Sequence, residues 1–109
     1  MKVSEIKEKL GYELVNMGED REIEGIFCGD LLSLVMGRAK SSDAWITVIG
    51  NVNCAAVAVL TDVSCIILSE GTNADEALTK RAVTEGITIF KTDDSSATAV
   101  IKLNSLLQQ

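Results

Sequence analysis

The chain has 109 residues, with ten Lys and Arg against sixteen Asp and Glu for a formal charge of −6, and it contains no histidine. That length supports one hydrophobic core, and 47% hydrophobic with 24% charged residues is the balance of a folded globular domain rather than a disordered chain. The acidic excess argues against a duplex nucleic-acid binder, which needs a basic face, and the missing histidine removes the usual general base and the commonest metal ligand.

Along the chain, Lys2–Leu10 predicts a short helix, with Val3, Ile6 and Leu10 on one stripe and Gly11 placed to stop it. Tyr12–Met17 and Glu22–Cys28 read as two extended segments around a turn at Gly18-Glu19-Asp20-Arg21, a hairpin-like unit that adds an antiparallel or edge strand. After Gly29-Asp30 comes the apolar run Leu31–Met36, a helix for which Asp30 is the natural N-cap. Trp45–Ile49 is a β-rich run, and Gly50-Asn51-Val52-Asn53 is a tight loop leading into an Ala-rich buried helix, Cys54–Leu60, capped by Asn53. Cys65–Leu68 is a second apolar run. Asn73 and Glu76 have capping-box spacing before a helix at about 74–85 that Gly86 ends. Ile87–Phe90 is the third apolar run, and Ala97, Val100, Ile101 and Leu107 make one face of a last helix. Short apolar strands alternating with helices predict a single α/β domain over residues 1–109, with Trp45–Ile49, Cys65–Leu68 and Ile87–Phe90 as parallel neighbours and helices on both faces.

The longest apolar run, Cys54–Leu60, has seven residues, against about 20 needed to span a bilayer. The first residues turn acidic at once and lack an apolar signal core, so no membrane partner and a cytoplasmic location are expected. Cys28, Cys54 and Cys65 form no CxxC pair and sit among apolar neighbours, which predicts reduced, buried thiols and no metal.

In an open parallel sheet, ligands bind beyond the carboxyl ends of the strands, where loops meet helix N-termini. The loops there carry the candidate ligand-binding residues Gly29, Asp30, Gly50, Asn51, Asn53, Gly71 and Thr92. Their glycines admit close backbone approach, and asparagine both donates and accepts. Nucleotide motifs fail. No GxGxxG is present, and Lys40-Ser41 mimics the end of a P-loop whose glycine positions hold Leu34 and Ala39. No catalytic residue, cofactor or phosphoryl-transfer activity is expected. Three readings stay open: a ligand-binding regulatory module, a protein–protein adaptor without ligand, and a small enzyme using Asp30 or the Asp93-Asp94 pair.

Taken together, the N-terminal helix Val3–Leu10, the Gly29-Asp30-Leu31-Leu32-Ser33 segment, Trp45-Ile46-Thr47, Asn53 with Ala56-Val57-Ala58, Gly71 before a helix and Thr92 after the last strand resemble the DRTGG domain family over nearly the whole chain. Two positions depart from it. Ser69-Glu70-Gly71 stands where members often have Thr-Gly-Gly, and Asn51 where they often carry His. The resemblance implies a regulatory role, since DRTGG domains accompany CBS domains in pyrophosphatases and adjoin the catalytic part of phosphotransacetylases. It also implies a homodimer. For a small-molecule ligand at the strand-end loops, the charges of Glu70 and Asp30 favour a nucleotide monophosphate or neutral metabolite over a triphosphate.

Overall fold

The structure, a computed structural model, describes residues 1–109. Ser4–Leu10 forms α1, stopped at Gly11 in the left-handed conformation (φ 68°) that glycine adopts without penalty. The remaining elements follow as β1 (Glu13–Asn16), β2 (Gly25–Cys28), α2 (Leu32–Arg38), β3 (Asp43–Thr47), α3 (Asn53–Thr61), β4 (Cys65–Leu68), α4 (Glu76–Glu85), β5 (Ile89–Lys91) and α5 (Ser96–Leu107). They build one five-stranded sheet in the order β1-β5-β4-β3-β2. β2 to β5 are parallel, and β1 runs antiparallel to β5 with a bulge between Leu14 and Asn16. The expected α/β domain with a mostly parallel sheet is therefore present, and the three predicted core strands are adjacent and parallel.

The two N-terminal strands are real, but they form no hairpin: β1 and β2 sit on opposite edges of the sheet. The segment between them is bonded elsewhere. The Gly18 amide donates to Thr88 Oγ1 at 2.9 Å, the Val3 amide to the Arg21 carbonyl, and the Ile23 amide to the Met1 carbonyl. Gly18 also lies so close to Gly86 that an added Cβ would meet its carbonyl oxygen at 1.9 Å. Tertiary partners thus capture the turn that local pattern assigned to a hairpin.

The sheet is sandwiched between two cores. On one face α2, α3 and α4 cover Trp45, Ile66, Leu68 and Ile89 with Val35, Val57, Leu78 and Ala82. On the other, α1 and α5 cover Ala44, Ile46, Ile67 and Phe90 with Ile6, Ala99 and Leu103. β4 is buried throughout because both its faces are packed. Trp45 is fully buried and its indole N–H donates to the Gly29 carbonyl at 3.0 Å.

Several local expectations are corrected. α4 is capped by Asp75, whose carboxylate accepts from the Leu78 amide, and not by Asn73. The Asp75 amide is tied to the Gly50 carbonyl, which sets where the helix begins. The buried residues of α5 are Ala99 and Leu103 with Val100 and Leu107 partly covered, whereas Ala97 and Ile101 face solvent. Ser95 caps that helix by accepting from the Thr98 amide, and this start fixes its rotation. Cys54 and Cys65 are buried, but Cys28, at the end of an edge strand, is exposed.

Candidate functional site

All seven candidate residues lie at the carboxyl edge of the parallel strands, and the structure joins them in two groups. In the first, Asp30 leaves β2 and reaches across to β3, where its Oδ1 accepts from Thr47 Oγ1 at 2.8 Å and from the Val48 amide at 2.9 Å. This corrects its expected role. Leu31 occupies the N-cap position of α2 with no side-chain cap, because the Asp30 carboxylate is already committed to the β3–α3 turn. Asn53 is likewise the first residue of α3 rather than its cap, and its amide donates to Asn51 Oδ1 at 3.0 Å. Gly50 packs against the loop before α4, where a Cβ would lie 2.2 Å from the Asn73 carbonyl oxygen. Only glycine fits that approach.

The second group surrounds β4 and β5. The Gly71 amide donates to the Thr92 carbonyl at 3.0 Å, and the Glu70 amide to the Asp94 carbonyl at 2.8 Å. Glu70 and Gly71 both have positive φ, 58° and 72°. That turn aims the Glu70 carboxylate at the start of α5, where Oε2 accepts from the Ser96 amide at 3.1 Å. The chain's own carboxylate thus satisfies a helix-start donor, and the buried Ser69 hydroxyl pairs with Ser96 Oγ at 2.6 Å. A strongly anionic ligand would have to displace Glu70 from this position.

A cleft of about 310 Å³ opens beside Thr92, lined on one side by Gly11, Tyr12 and Glu13 and on the other by Lys91, Asp93, Asp94 and Lys102. Tyr12 and Lys102 both donate to Asp94 Oδ2, at 2.9 and 2.8 Å. The Lys102 ammonium first, and then the Tyr12 hydroxyl, hold the Asp94 carboxyl below the usual carboxylate range. Burial, reinforced by Asp94, pushes the Tyr12 hydroxyl well above its ordinary value, so it stays a donor. Lys91 pairs with Glu13 at 3.9 Å and with the Asn73 side chain. Lys91 and Lys102 are thus each paired with a carboxylate of this cleft, and Asp93 is left without an ion pair. Sequence reading missed Tyr12, Lys91 and Lys102, because nothing in their spacing shows that β1 returns to lie against β5.

Asp93 and Asp94 do not act as a pair, since Asp94 is engaged by Tyr12 and Lys102. No group of three or more His, Cys, Asp or Glu is placed to hold a metal ion, and no helix is long and apolar enough to cross a membrane.

No family model matches the chain, and no curated protein matches it in sequence. Among solved structures it is similar to the CBS and DRTGG domains of the regulatory region of Clostridium perfringens pyrophosphatase, complexed with the activator diadenosine tetraphosphate. The TM-score is 0.71 at 16% identity, over 97% of this chain and 46% of that one. The chain therefore spans a little under half of that regulatory region, and the likeness shows that the two share a fold.

Proposed function

We propose that the chain is a non-catalytic regulatory module that self-associates and takes a small ligand, a nucleotide monophosphate being the favoured class, at its strand-end loops. The observation that carries this reading is the likeness, over 97% of the chain, to a region whose role is regulation. That structure, of which this chain spans 46%, was solved with a nucleotide activator, diadenosine tetraphosphate. The ligand would be read by Asn51, Asn53 and the backbone of Gly29, Gly50, Gly71 and Thr92, with Asp30 holding the β2 and β3 loops in register. Because Glu70 and Asp30 add negative charge at this edge, a ligand of low charge fits it better than a triphosphate.

Calorimetry and thermal shift with AMP, ADP, ATP and diadenosine tetraphosphate, followed by chromatography of the mixtures, test it. Saturable binding without turnover is expected, weakened at least tenfold by Asn51→Ala, more than the about 1 kcal/mol of stability lost with its bond to the Asn53 amide accounts for. Turnover of a nucleotide, or the absence of saturable binding across the panel, overturns it.

One observation favours the adaptor reading. α3 holds no charged residue, and its outward Val59 and Leu60 are 51% and 70% exposed. A helix apolar on every side is one that another surface covers. Failure of the ligand panel together with loss of partner binding in Leu60→Asp would select that reading.

A further inference from the structure

We propose that the cleft at the amino ends of β2 and β3 binds a zwitterionic α-amino acid with an apolar side chain. Its ammonium sits on Asp43, its carboxylate on Arg38 and Lys40, and its side chain against Phe27. The strand-end loops lie at the opposite end of the sheet, so this site stands or fails apart from the function proposed above.

The cleft measures about 360 Å³, within the range of small-molecule sites. Its floor is Asp43, the first residue of β3, which is only 8% exposed. Asp43 Oδ2 accepts from the Lys40 amide at 2.8 Å and so fixes the turn into the strand. Oδ1 takes part in no hydrogen bond and no ion pair. Every buried side-chain oxygen of the protein has a partner, so this free oxygen is the part of Asp43 that opens to the cleft.

Gly25, which faces Asp43 across the ladder, is what leaves it open: a Cβ there would meet Oδ1 at 2.6 Å. The φ of Gly25 lies outside the left-handed region and the β2–β3 register is unbroken. The backbone therefore does not call for glycine here, and a glycine of that kind marks a close approach to the strand. Strand alternation sets Gly25 and Phe27 on one face of the sheet, with Asp43 and Trp45, and Phe27 and Trp45 belong to the core on the α2 side. Arg38, the last residue of α2, stands over that same face.

The charges select the ligand. Arg38 and Lys40 supply two cations and Glu24 and Asp43 two carboxylates, yet none of the four is in an ion pair. A buried carboxylate is costly unless donors meet its lone pairs, and an ammonium brings three N–H donors to Oδ1. A simple cation would leave Arg38 and Lys40 without a partner, and a simple anion would face Asp43. An α-amino acid holds both groups on one carbon, and the Arg38 guanidinium can fork onto its carboxylate. Phe27 is the apolar side chain on this face of the cleft, which assigns the ligand an apolar side chain of its own.

Amide chemical shifts of the whole chain, titrated to millimolar L-phenylalanine, N-acetyl-L-phenylalanine and phenethylamine, test the proposal. L-phenylalanine is expected to saturate shifts at residues 24–27 and 38–43, and the analogues, each lacking one charge, to bind at least tenfold more weakly. Asp43→Asn keeps an acceptor for the Lys40 amide and should weaken binding at least tenfold with little change in melting temperature. Arg38→Ala, at an exposed position that cannot disturb the core, should do the same. Equal binding of either analogue, shifts confined to the strand-end loops, no saturable shift, or full affinity in Arg38→Ala overturns the site.

Discussion

Replacing Asp30 with alanine removes a carboxylate that accepts two bonds at the β2–β3 crossing, from Thr47 Oγ1 at 2.8 Å and from the Val48 amide at 2.9 Å. The two losses are unequal. The Val48 amide lies at an exposed surface where water takes over, whereas Thr47 is fully buried, so its hydroxyl loses a charged acceptor that little solvent can replace. A hydrogen bond to a charged group contributes about 1.5–3 kcal/mol net, which gives an expected loss of about 2 kcal/mol for Asp30→Ala. In a domain of this size that corresponds to a fall of roughly 8 °C in melting temperature. The only tryptophan, Trp45, is buried beside this crossing through its bond to Gly29, so urea unfolding followed by its fluorescence is a direct assay. Asp30→Asn keeps the acceptor oxygen without the charge and should recover about half the loss. If Asp30→Ala lies within about 0.5 kcal/mol of the parent, the usual range for a neutral surface change, the carboxylate does not hold the two loops and the reasoning fails.

Two further outcomes are expected from the titrating groups. In dilute protein, a thiol reagent at pH 8 should find one reactive cysteine, Cys28, slowed by desolvation and by Asp30; burial pushes the Cys54 and Cys65 thiols up to about 12, so both should react only after unfolding, and two fast thiols in the native protein would contradict this. Glu5, Asp62 and Asp94 are each held below the ordinary carboxylate range, by the Lys2 amide and Lys9, by Ser41 and Arg21, and by Lys102 and Tyr12 respectively. Their folded values are depressed, so their stabilisation is complete above the unfolded values near about pH 4 and disappears as pH falls through the folded ones. Melting temperature should therefore hold above that point and drop between it and pH 2, and a flat profile there would remove these contacts from the account.

What could be read from the sequence was what local chemistry decides. Gly11 and Gly86 end α1 and α4 because each takes the left-handed conformation, and Cys65–Leu68 is an unbroken apolar run because both faces of β4 are covered. The strand-end loops were legible for the same reason, as glycine and asparagine mark turns. The errors lie where a distant partner decides. Asn73 and Asp75 are equally good caps in isolation, and the bond from the Asp75 amide to Gly50 selects between them. Asp30 was assigned to α2 because it precedes it, yet Thr47, on the next strand, claims its carboxylate. Cys28 looked like core because its neighbours are apolar, but it ends an edge strand. The cleft formed by Tyr12, Lys91 and Lys102 needs β1 laid against β5, and no spacing in the chain encodes that contact.

That contact also dictates an order of assembly. β2 to β5 are joined to their neighbours through single crossovers of about 20 residues, whereas pairing Glu13 with Lys91 closes a loop that takes in most of the chain. Loop-closure entropy makes that closure costlier by about 1 kcal/mol than a single crossover. The parallel strands can therefore come together from contacts near in sequence, while β1 must wait for β5 to exist. The first strand made is the last one placed, and pulse-labelled refolding that protected β1 amides before those of β4 would contradict this order.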